Sequence, residues 1–197
     1  MAAISQDVHE PKKEIKIGAS YIRTSQANWP FGDTTYLYET VGVKATFNLV
    51  LWNHSRFRWE VIGEPSWFVA YHQLVNPYYI GLGSGEDFLE QREFYTQSRT
   101  FNELVLSVGF IFRAYLSHSL STYLVGTVGP MYGSSSTERL KDGLAFSDIG
   151  GLGVSYDIKR ISLDFRMVLR HNSNANLWAP NSGHNSSGFE GGVSFKL

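Results

Sequence analysis

The chain has 197 residues, enough for one domain and too few for two of ordinary size. Its formal net charge is −1, so it lacks the basic field that a nucleic-acid-binding protein needs, and we expect no nucleic-acid partner. It has no cysteine, and its 5 Trp, 11 Tyr and 13 Phe occur without the run of about 20 apolar residues that a transmembrane helix requires. This composition favours many short strands.

Apolar and polar residues alternate along almost the whole chain, which predicts eight β-strands. In chain order the alternating segments are 14–23, 41–51, 57–67, 104–113, 120–132, 145–157, 161–173 and 189–197. The seventh is the clearest, because its odd positions from Ile161 to Leu169 are all apolar while Asp164 and Arg166 lie on the other face. In the fifth, Pro130 and two glycines blur the two faces.

The connections between these strands alternate between long and short. The long ones are 24–35, 73–101, 133–144 and 174–184, and the tight ones are Trp52 to Arg56, His118-Ser119 and Ile158-Lys159. Long extracellular loops and short periplasmic turns are typical of bacterial outer-membrane barrels. The sequence therefore predicts an all-β fold, an eight-stranded antiparallel transmembrane β-barrel in the outer membrane of a Gram-negative bacterium, with both termini in the periplasm.

The alternative is a soluble lipocalin-like barrel, whose strands alternate in the same way but turn their apolar side inward. The polar face of this chain carries both signs of charge, as in Lys44, Glu64, Arg166 and Glu190, which can pair across a narrow lumen. The apolar face is rich in Phe and Trp, as expected against lipid, and favours the membrane barrel. A mean hydropathy of −0.18 agrees with this, since polar residues of the lumen lower the average.

The N-terminus does not have the basic and apolar regions of a signal peptide. Its Met1-Ala2-Ala3 start favours a mature chain with an added initiator Met, and a native cytosolic start is the alternative. We assign residues 1–197 to a single barrel domain, of which 1–13 form an N-terminal periplasmic segment.

The seventh strand ends in two polar residues on its apolar face. By parity His171 and Ser173 continue the stripe from Ile161 to Leu169, so both point towards lipid at the extracellular end. They are about 6–7 Å apart along the strand, close enough for an imidazole to activate a hydroxyl that is otherwise a weak nucleophile. The alternative is a polar pair that marks the headgroup boundary.

The segment RHNSNANLWAPNSGHN at 170–185 resembles the C-terminal signature of PagL-type lipid A 3-O-deacylases, His-x-Ser-Asn-Ala followed by Pro-Asn-x-Gly. The matching residues are His171, Ser173, Asn174, Ala175, Pro180, Asn181 and Gly183. The resemblance implies hydrolysis of the acyl ester at the 3-position of lipid A, with Ser173 as nucleophile and His171 as general base and acid. It implies that Asn174 and Asn181 orient the site or stabilise the oxyanion, with backbone N–H groups of 174–183 as further donors.

One position departs from the family. Two residues after the motif's glycine the family has a glutamate that completes the triad, and this chain has Asn185. Glu190 is the nearest acid downstream, but its parity places it in the lumen. Asn185 shares the lipid-face parity of Phe189 and Val193, so it can still orient His171 by accepting a hydrogen bond.

For the other polar residues, a functional role is the less favoured interpretation. His54 and His118 lie in or beside tight turns and are expected to be solvated. His184 is read as a solvated loop histidine, with a second imidazole near the site as the alternative. Arg139 and Lys141 are read as ordinary loop charges rather than ligands of lipid A phosphates.

The 73–101 connection carries two further features. The glycine-rich segment 81–85 is read as a flexible loop, because no helix is predicted to follow it as in a phosphate-binding site. The loop acids Glu86 and Asp87, with Asp33 of the first loop, leave a Ca²⁺ requirement open without forming a cage. We predict no cofactor and no metal centre.

Three functions compete. The first is the lipid A esterase, and the second is a catalytically silent family member that binds lipopolysaccharide or acts at the cell surface, which Asn185 favours. A palmitoyl-transferase-like barrel is the third, but 1–13 lack the apolar stripe of an amphipathic helix. The expected partner is lipid A or lipopolysaccharide, and the oligomeric state stays open, a homodimer included.

Overall fold

The computed structural model describes residues 14–197, and the segment 1–13 lies outside the described residues. Eight antiparallel strands form a closed barrel in which each strand pairs with its neighbours in sequence and β1 pairs with β8. The strands are β1 (Ile15–Ser25), β2 (Tyr36–His54), β3 (Phe57–Leu74), β4 (Arg99–Tyr115), β5 (Leu120–Gly133), β6 (Gly143–Ile158), β7 (Ile161–Ser173) and β8 (His184–Lys196). The predicted fold class, strand number and alternation of long and short connections are confirmed.

Several strands are longer than predicted at the end with the long connections, which we call the mouth. There β2 begins at Tyr36 and β3 continues to Leu74. The side chains of Tyr36, Tyr38, Ala70 and Leu74 are buried inside the barrel. Because these inward positions are apolar or aromatic, the contrast between the two faces is lost, and the sequence pattern stops short of the strand ends.

The 73–101 connection contains a short helix, α1 (Phe88–Thr96), as well as two single turns of 3₁₀ helix at Pro77–Tyr79 and Leu82–Ser84. The expectation that no helix follows the glycine-rich segment is therefore wrong. Phe88 and Tyr95 pack against the buried cluster at the mouth, which explains where this helix is anchored. None of the helices in 14–197 is long and apolar enough to cross a membrane.

The β6–β7 turn differs from the prediction by one residue. Ile158 pairs with Ile161, so the two turn residues are Lys159 and Arg160, and Lys159 adopts a left-handed φ of 57°. A one-residue displacement of a two-residue turn changes every partner across the hairpin by two positions. The observed turn therefore decides which β6 residue lies beside each residue of β7.

Charged side chains fill the middle of the lumen. Lys44 contacts both Glu64 (3.1 Å) and Glu190 (3.0 Å), and Arg166 contacts the same two carboxylates. Two positive and two negative groups thus form a closed ring of ion pairs. Since buried charges are tolerated only when they are paired, this ring explains how strands with strongly polar inner faces pack together.

The outer wall is mostly apolar on each of the eight strands. Near the short turns the aromatic rings of Phe57, Trp59 and Phe112 contact one another, with centroids 5.0 to 5.7 Å apart. The predicted facing, apolar outward and charged inward, is confirmed, and it is the reverse of a soluble lipocalin-like barrel.

Glu60→Gln should lower the free energy of unfolding by about 3 kcal/mol, because it leaves the buried Arg113 without the carboxylate it contacts at 2.7 Å. Urea unfolding of the barrel in lipid vesicles measures this. The control is Glu39→Gln, whose exposed pair with Arg23 should contribute about 0.5 kcal/mol. Equal losses for the two variants would contradict the account of the lumen.

Candidate active site on the outer wall

His171 and Asn185 are direct partners across the β7–β8 ladder, on the outer wall near the mouth. The imidazole Nδ1 lies 2.7 Å from the amide Oδ1. An amide oxygen can only accept a hydrogen bond, so Nδ1 carries a proton, and in the neutral ring Nε2 then keeps its lone pair. This is the tautomer in which Nε2 can serve as a general base.

Ser173 lies two residues beyond His171 on the same face, at the last position of β7. Its partner on β6 is Phe146, and β8 begins too late to pair with it. No hydrogen bond joins the side chains of Ser173 and His171 within the described residues. The strand spacing of about 6–7 Å leaves the two groups within reach by side-chain rotation, as is common in ligand-free catalytic sites.

The β7–β8 loop is held by hydrogen bonds among its three asparagines and its backbone. The buried Asn174 donates its backbone N–H to the side-chain oxygen of Asn181 (2.7 Å) and its amide to the carbonyls of Trp178 (2.8 Å) and Pro180 (3.3 Å). The amide of Asn181 donates to the side chain of Asn176 (2.8 Å). These contacts orient the loop. They use both side-chain N–H donors of Asn174 and one of the two of Asn181, so Asn181 keeps one side-chain donor for an oxyanion.

Among the backbone N–H groups of this loop without an acceptor, two lie close to Ser173 in sequence. Ala175 and Asn176 have left-handed φ values of 53° and 61°, and their N–H groups donate to no acceptor within 14–197. They follow Ser173 by two and three residues. They are the donors of the 174–183 segment best placed in sequence to face a group bound at Ser173.

The β5–β6 loop pairs with the segment that precedes β8. The N–H of Gly183 donates to the carbonyl of Arg139 (3.0 Å), and the N–H of Lys141 donates to the carbonyl of Pro180 (3.3 Å). The guanidinium of Arg139 lies over the ring of Tyr36, 4.4 Å from its centroid. Arg139 therefore fastens this loop to the barrel mouth, while the side chain of Lys141 is exposed.

Gly183 brings the backbone close to His171. Its φ is +68°, and a Cβ built on it would lie 2.6 Å from the carbonyl oxygen of Asn172 and 3.3 Å from Cε1 of His171. A side chain here would be strained and would press on the imidazole. Steric crowding thus explains why the Pro-Asn-x-Gly motif has a glycine at this position.

The prediction for His184 is wrong. This residue begins β8 with its side chain inside the barrel, 2% exposed, stacked on Tyr38 at a centroid distance of 4.1 Å and bonded to the hydroxyl of Thr137 (2.9 Å). It faces away from His171, so it is neither a solvated loop residue nor a second imidazole on the outer wall. Glu190 faces the lumen, as predicted.

Sequence reasoning missed Asp148. With His171 and Asn185 it forms a row of three residues across the wall. It pairs with His171 from β6, on the side opposite Asn185, and its side chain is exposed. The signal was present, since Phe146, Asp148 and Gly150 share the outward parity of β6. A carboxylate on that face is unusual in a strand that otherwise turns apolar residues and glycine outward.

An apolar groove of about 730 Å³ runs along the outer wall beside the row. Leu169, the outward residue next to His171, forms part of it, and the missing side chain of Gly150 deepens it. The largest space that we find in the lumen is about 40 Å³. A long acyl chain therefore has room against the wall and none inside.

His54 and His118 are exposed beside the short turns, as predicted. Within residues 14–197, no group of three or more His, Asp or Glu side chains is arranged to hold a metal ion.

The closed eight-stranded barrel with its apolar outer wall defines the class of this protein, an outer-membrane β-barrel of a Gram-negative bacterium. The crystal structure of the outer membrane enzyme PagL is similar over 92% of this chain and 99% of its own, with a TM-score of 0.56 and 15% identity. Ail, the attachment invasion locus protein of Yersinia pestis, is 12% identical with a TM-score of 0.47, over 94% and 99% of the two chains. Neisserial surface protein A is 12% identical with a TM-score of 0.45, over 94% of this chain and 97% of its own.

The family model described as "Lipid A 3-O-deacylase (PagL)" matches residues 15–194, nearly the whole chain. The chain therefore belongs to the PagL family, as its C-terminal signature indicated. No curated protein sequence matches it.

Gly183→Ala should lower the free energy of unfolding by about 1–2 kcal/mol, because alanine is strained at this φ and meets the Asn172 carbonyl. It should also weaken the hydrogen bond between His171 and Asn185, which the ¹⁵N shift of Nδ1 reports. Gly191→Ala in β8 is the control, since nothing lies nearer than 4.0 Å to its added Cβ. An unchanged Nδ1 shift in Gly183→Ala would contradict the proposed crowding of the imidazole.

Proposed function

We propose that this protein is a lipid A 3-O-deacylase, a serine esterase that hydrolyses the acyl ester at the 3-position of lipid A in the outer leaflet of the outer membrane. The observation that carries the proposal is the hydrogen bond from His171 Nδ1 to Asn185 Oδ1. It leaves Nε2 as a base on the same face as Ser173. The family membership supports the same chemistry.

In the first half of the reaction the hydroxyl of Ser173 attacks the ester carbonyl and gives its proton to Nε2 of His171. The resulting oxyanion faces N–H donors, for which the groups of Ala175 and Asn176 are free. The tetrahedral intermediate then collapses. The sugar oxygen leaves with the proton from His171, and the acyl group stays on Ser173.

In the second half a water molecule attacks the acyl-enzyme, and His171 takes its proton. The second tetrahedral intermediate releases Ser173, which recovers its proton from His171, and a 3-hydroxy fatty acid departs. Ser173 is therefore the nucleophile, His171 the general base and acid, and Asn185 the residue that orients the imidazole.

Asn185 can support this chemistry although it is neutral. In a serine protease, replacing the triad carboxylate by an amide reduces kcat about 10⁴-fold, because the imidazole then adopts the wrong tautomer. Here the amide presents its oxygen to Nδ1, which holds the tautomer that the reaction needs. The remaining difference from a carboxylate is the missing negative charge.

The groove on the outer wall supports an acyl ester as substrate. Its apolar lining begins at Leu169, one outward position below His171. An acyl chain of lipid A already lies along the barrel wall, so it can enter this groove without leaving the membrane. The ester carbonyl at its upper end would then lie beside Ser173.

Purified lipopolysaccharide treated with the refolded protein should lose one 3-hydroxyacyl chain, which mass spectrometry detects. Ser173→Ala and His171→Ala should each reduce the rate at least about 10³-fold, because they remove the nucleophile and its base. Asn185→Glu should retain or increase the rate.

Two results would contradict this proposal. If the wild type is silent and Asn185→Glu is active, the chain is a dormant member of the family. If every variant is silent in well-folded barrels, a lipopolysaccharide-binding role replaces the enzyme.

Gly150→Leu should change which chains are cleaved, because the new side chain would occupy the groove. The substitution is sterically open, since nothing lies within 4 Å of the added Cβ. We expect a shift towards shorter acyl chains and a fall of about tenfold on long ones, measured with lipid A species of different chain length. The control is Gly63→Leu, an equally open position on the outer face of β3. The same loss in both variants would refute the role of the groove.

A further inference from the structure

Asp148 places a carboxylate directly beside His171. The two residues are cross-strand partners on β6 and β7, and Asn185 is the partner of His171 on its other side. Side chains directly opposite each other in an antiparallel pair have Cβ atoms about 4.5–5.5 Å apart. His171 is therefore flanked by an amide on one side and an acid on the other.

The position of Asp148 has no structural explanation within the barrel. Its exposed side chain shares the outward parity of β6, where a charge is unfavourable against lipid. Within residues 14–197, no side chain forms a hydrogen bond or an ion pair with Asp148. The lumen acids Glu60, Glu64 and Glu190, by contrast, all form ion pairs. Its cross-strand partner on β7 is His171.

The chemistry proposed above, on which this inference rests, requires a negative charge that Asn185 cannot supply. His171 becomes an imidazolium in each half of the reaction, and the amide of Asn185 orients the ring but does not neutralise it. We propose that Asp148 supplies this charge, so that orientation and charge stabilisation come from residues on opposite sides of His171. Because no ion pair joins Asp148 to His171 in the structure, the carboxylate acts through its field across the ladder.

The other charged groups around the imidazole do not provide this stabilisation. The β5–β6 loop carries the cations Arg139 and Lys141 and also two acids, Glu138, which is buried against His72 (2.8 Å), and Asp142, which accepts a hydrogen bond from Ser136. Behind the wall Arg170 is paired with Glu103 (2.8 Å), and His184 faces the lumen. None of these groups is a cross-strand partner of His171. On β8 the partner of His171 is Asn185, which is neutral. At the boundary between lipid and water the effective dielectric constant is lower than in bulk, which strengthens the interaction with Asp148.

The first test compares the pH dependence of lipopolysaccharide deacylation for the wild type and Asp148→Asn. The variant should lose about 10- to 100-fold in kcat. The acidic limb of its profile should move to lower pH, because an imidazole without a nearby negative charge gives up its proton more easily. Asp148→Glu should keep most of the activity. Asp87→Asn, which removes an equal charge from the exposed β3–β4 connection, should match the wild type.

A double variant moves the charge to the other side of the imidazole. Asp148→Asn combined with Asn185→Glu should recover kcat to within about tenfold of the wild type, since the carboxylate again adjoins His171. If Asp148→Asn leaves both kcat and the pH profile unchanged, the inference is wrong. A loss of kcat without a shift of the profile also overturns it, because that result would indicate a merely structural role.

A second measurement does not depend on activity. In barrels with ¹³C-labelled histidine, the midpoint of the His171 titration should move to lower pH in Asp148→Asn and stay in place in Asp87→Asn. If the protein is inactive but the midpoint moves, the proposed deacylase fails and the influence of Asp148 on His171 stands. An unmoved midpoint overturns the inference whatever the activity.

Discussion

The hydrogen bonds between β1 and β8 close the sheet, and closure fixes the direction of every side chain along the eight strands. With no free edge in lipid, each backbone group is satisfied by a neighbouring strand, and alternate residues must face either the lumen or the membrane. The inward set carries the charges, and the ring of Lys44, Glu64, Arg166 and Glu190 holds them in pairs. Polar residues on the outward set are not needed for this packing, which is why those near His171 point to function.

The site follows from the same register. It sets Asn185 and Asp148 on either side of His171, and it ends β7 at Ser173, where the backbone turns through Ala175. The groups that would react therefore lie on the wall, where the ester of a membrane lipid can reach them without crossing the barrel. The β7–β8 loop beside the site is held by contacts of its own and by the β5–β6 loop.

Much of the architecture was predictable from alternation alone, including the outward position of His171 and the inward position of Glu190. What alternation cannot provide is the partner across the ladder. The predicted turn at Ile158-Lys159 would have set Phe146 beside His171, and the observed turn one residue later sets Asp148 there. The burial of His184 was not predicted, because a solvated loop was expected there. Aromatic rings line the mouth, and one of them, Tyr38, stacks on this imidazole. The helix α1 was not predicted, because the apolar and polar residues of its connection follow no regular period.

The central claim is that Ser173 is an activated nucleophile on the outer wall, and covalent labelling tests it most directly. A lipophilic organophosphate should modify Ser173 alone among the serines of the folded barrel, as peptide mass spectrometry would locate, and the modification should disappear in His171→Ala. Labelling of Ser173 at the same rate in His171→Ala, or no labelling in well-folded wild-type protein, would contradict the account.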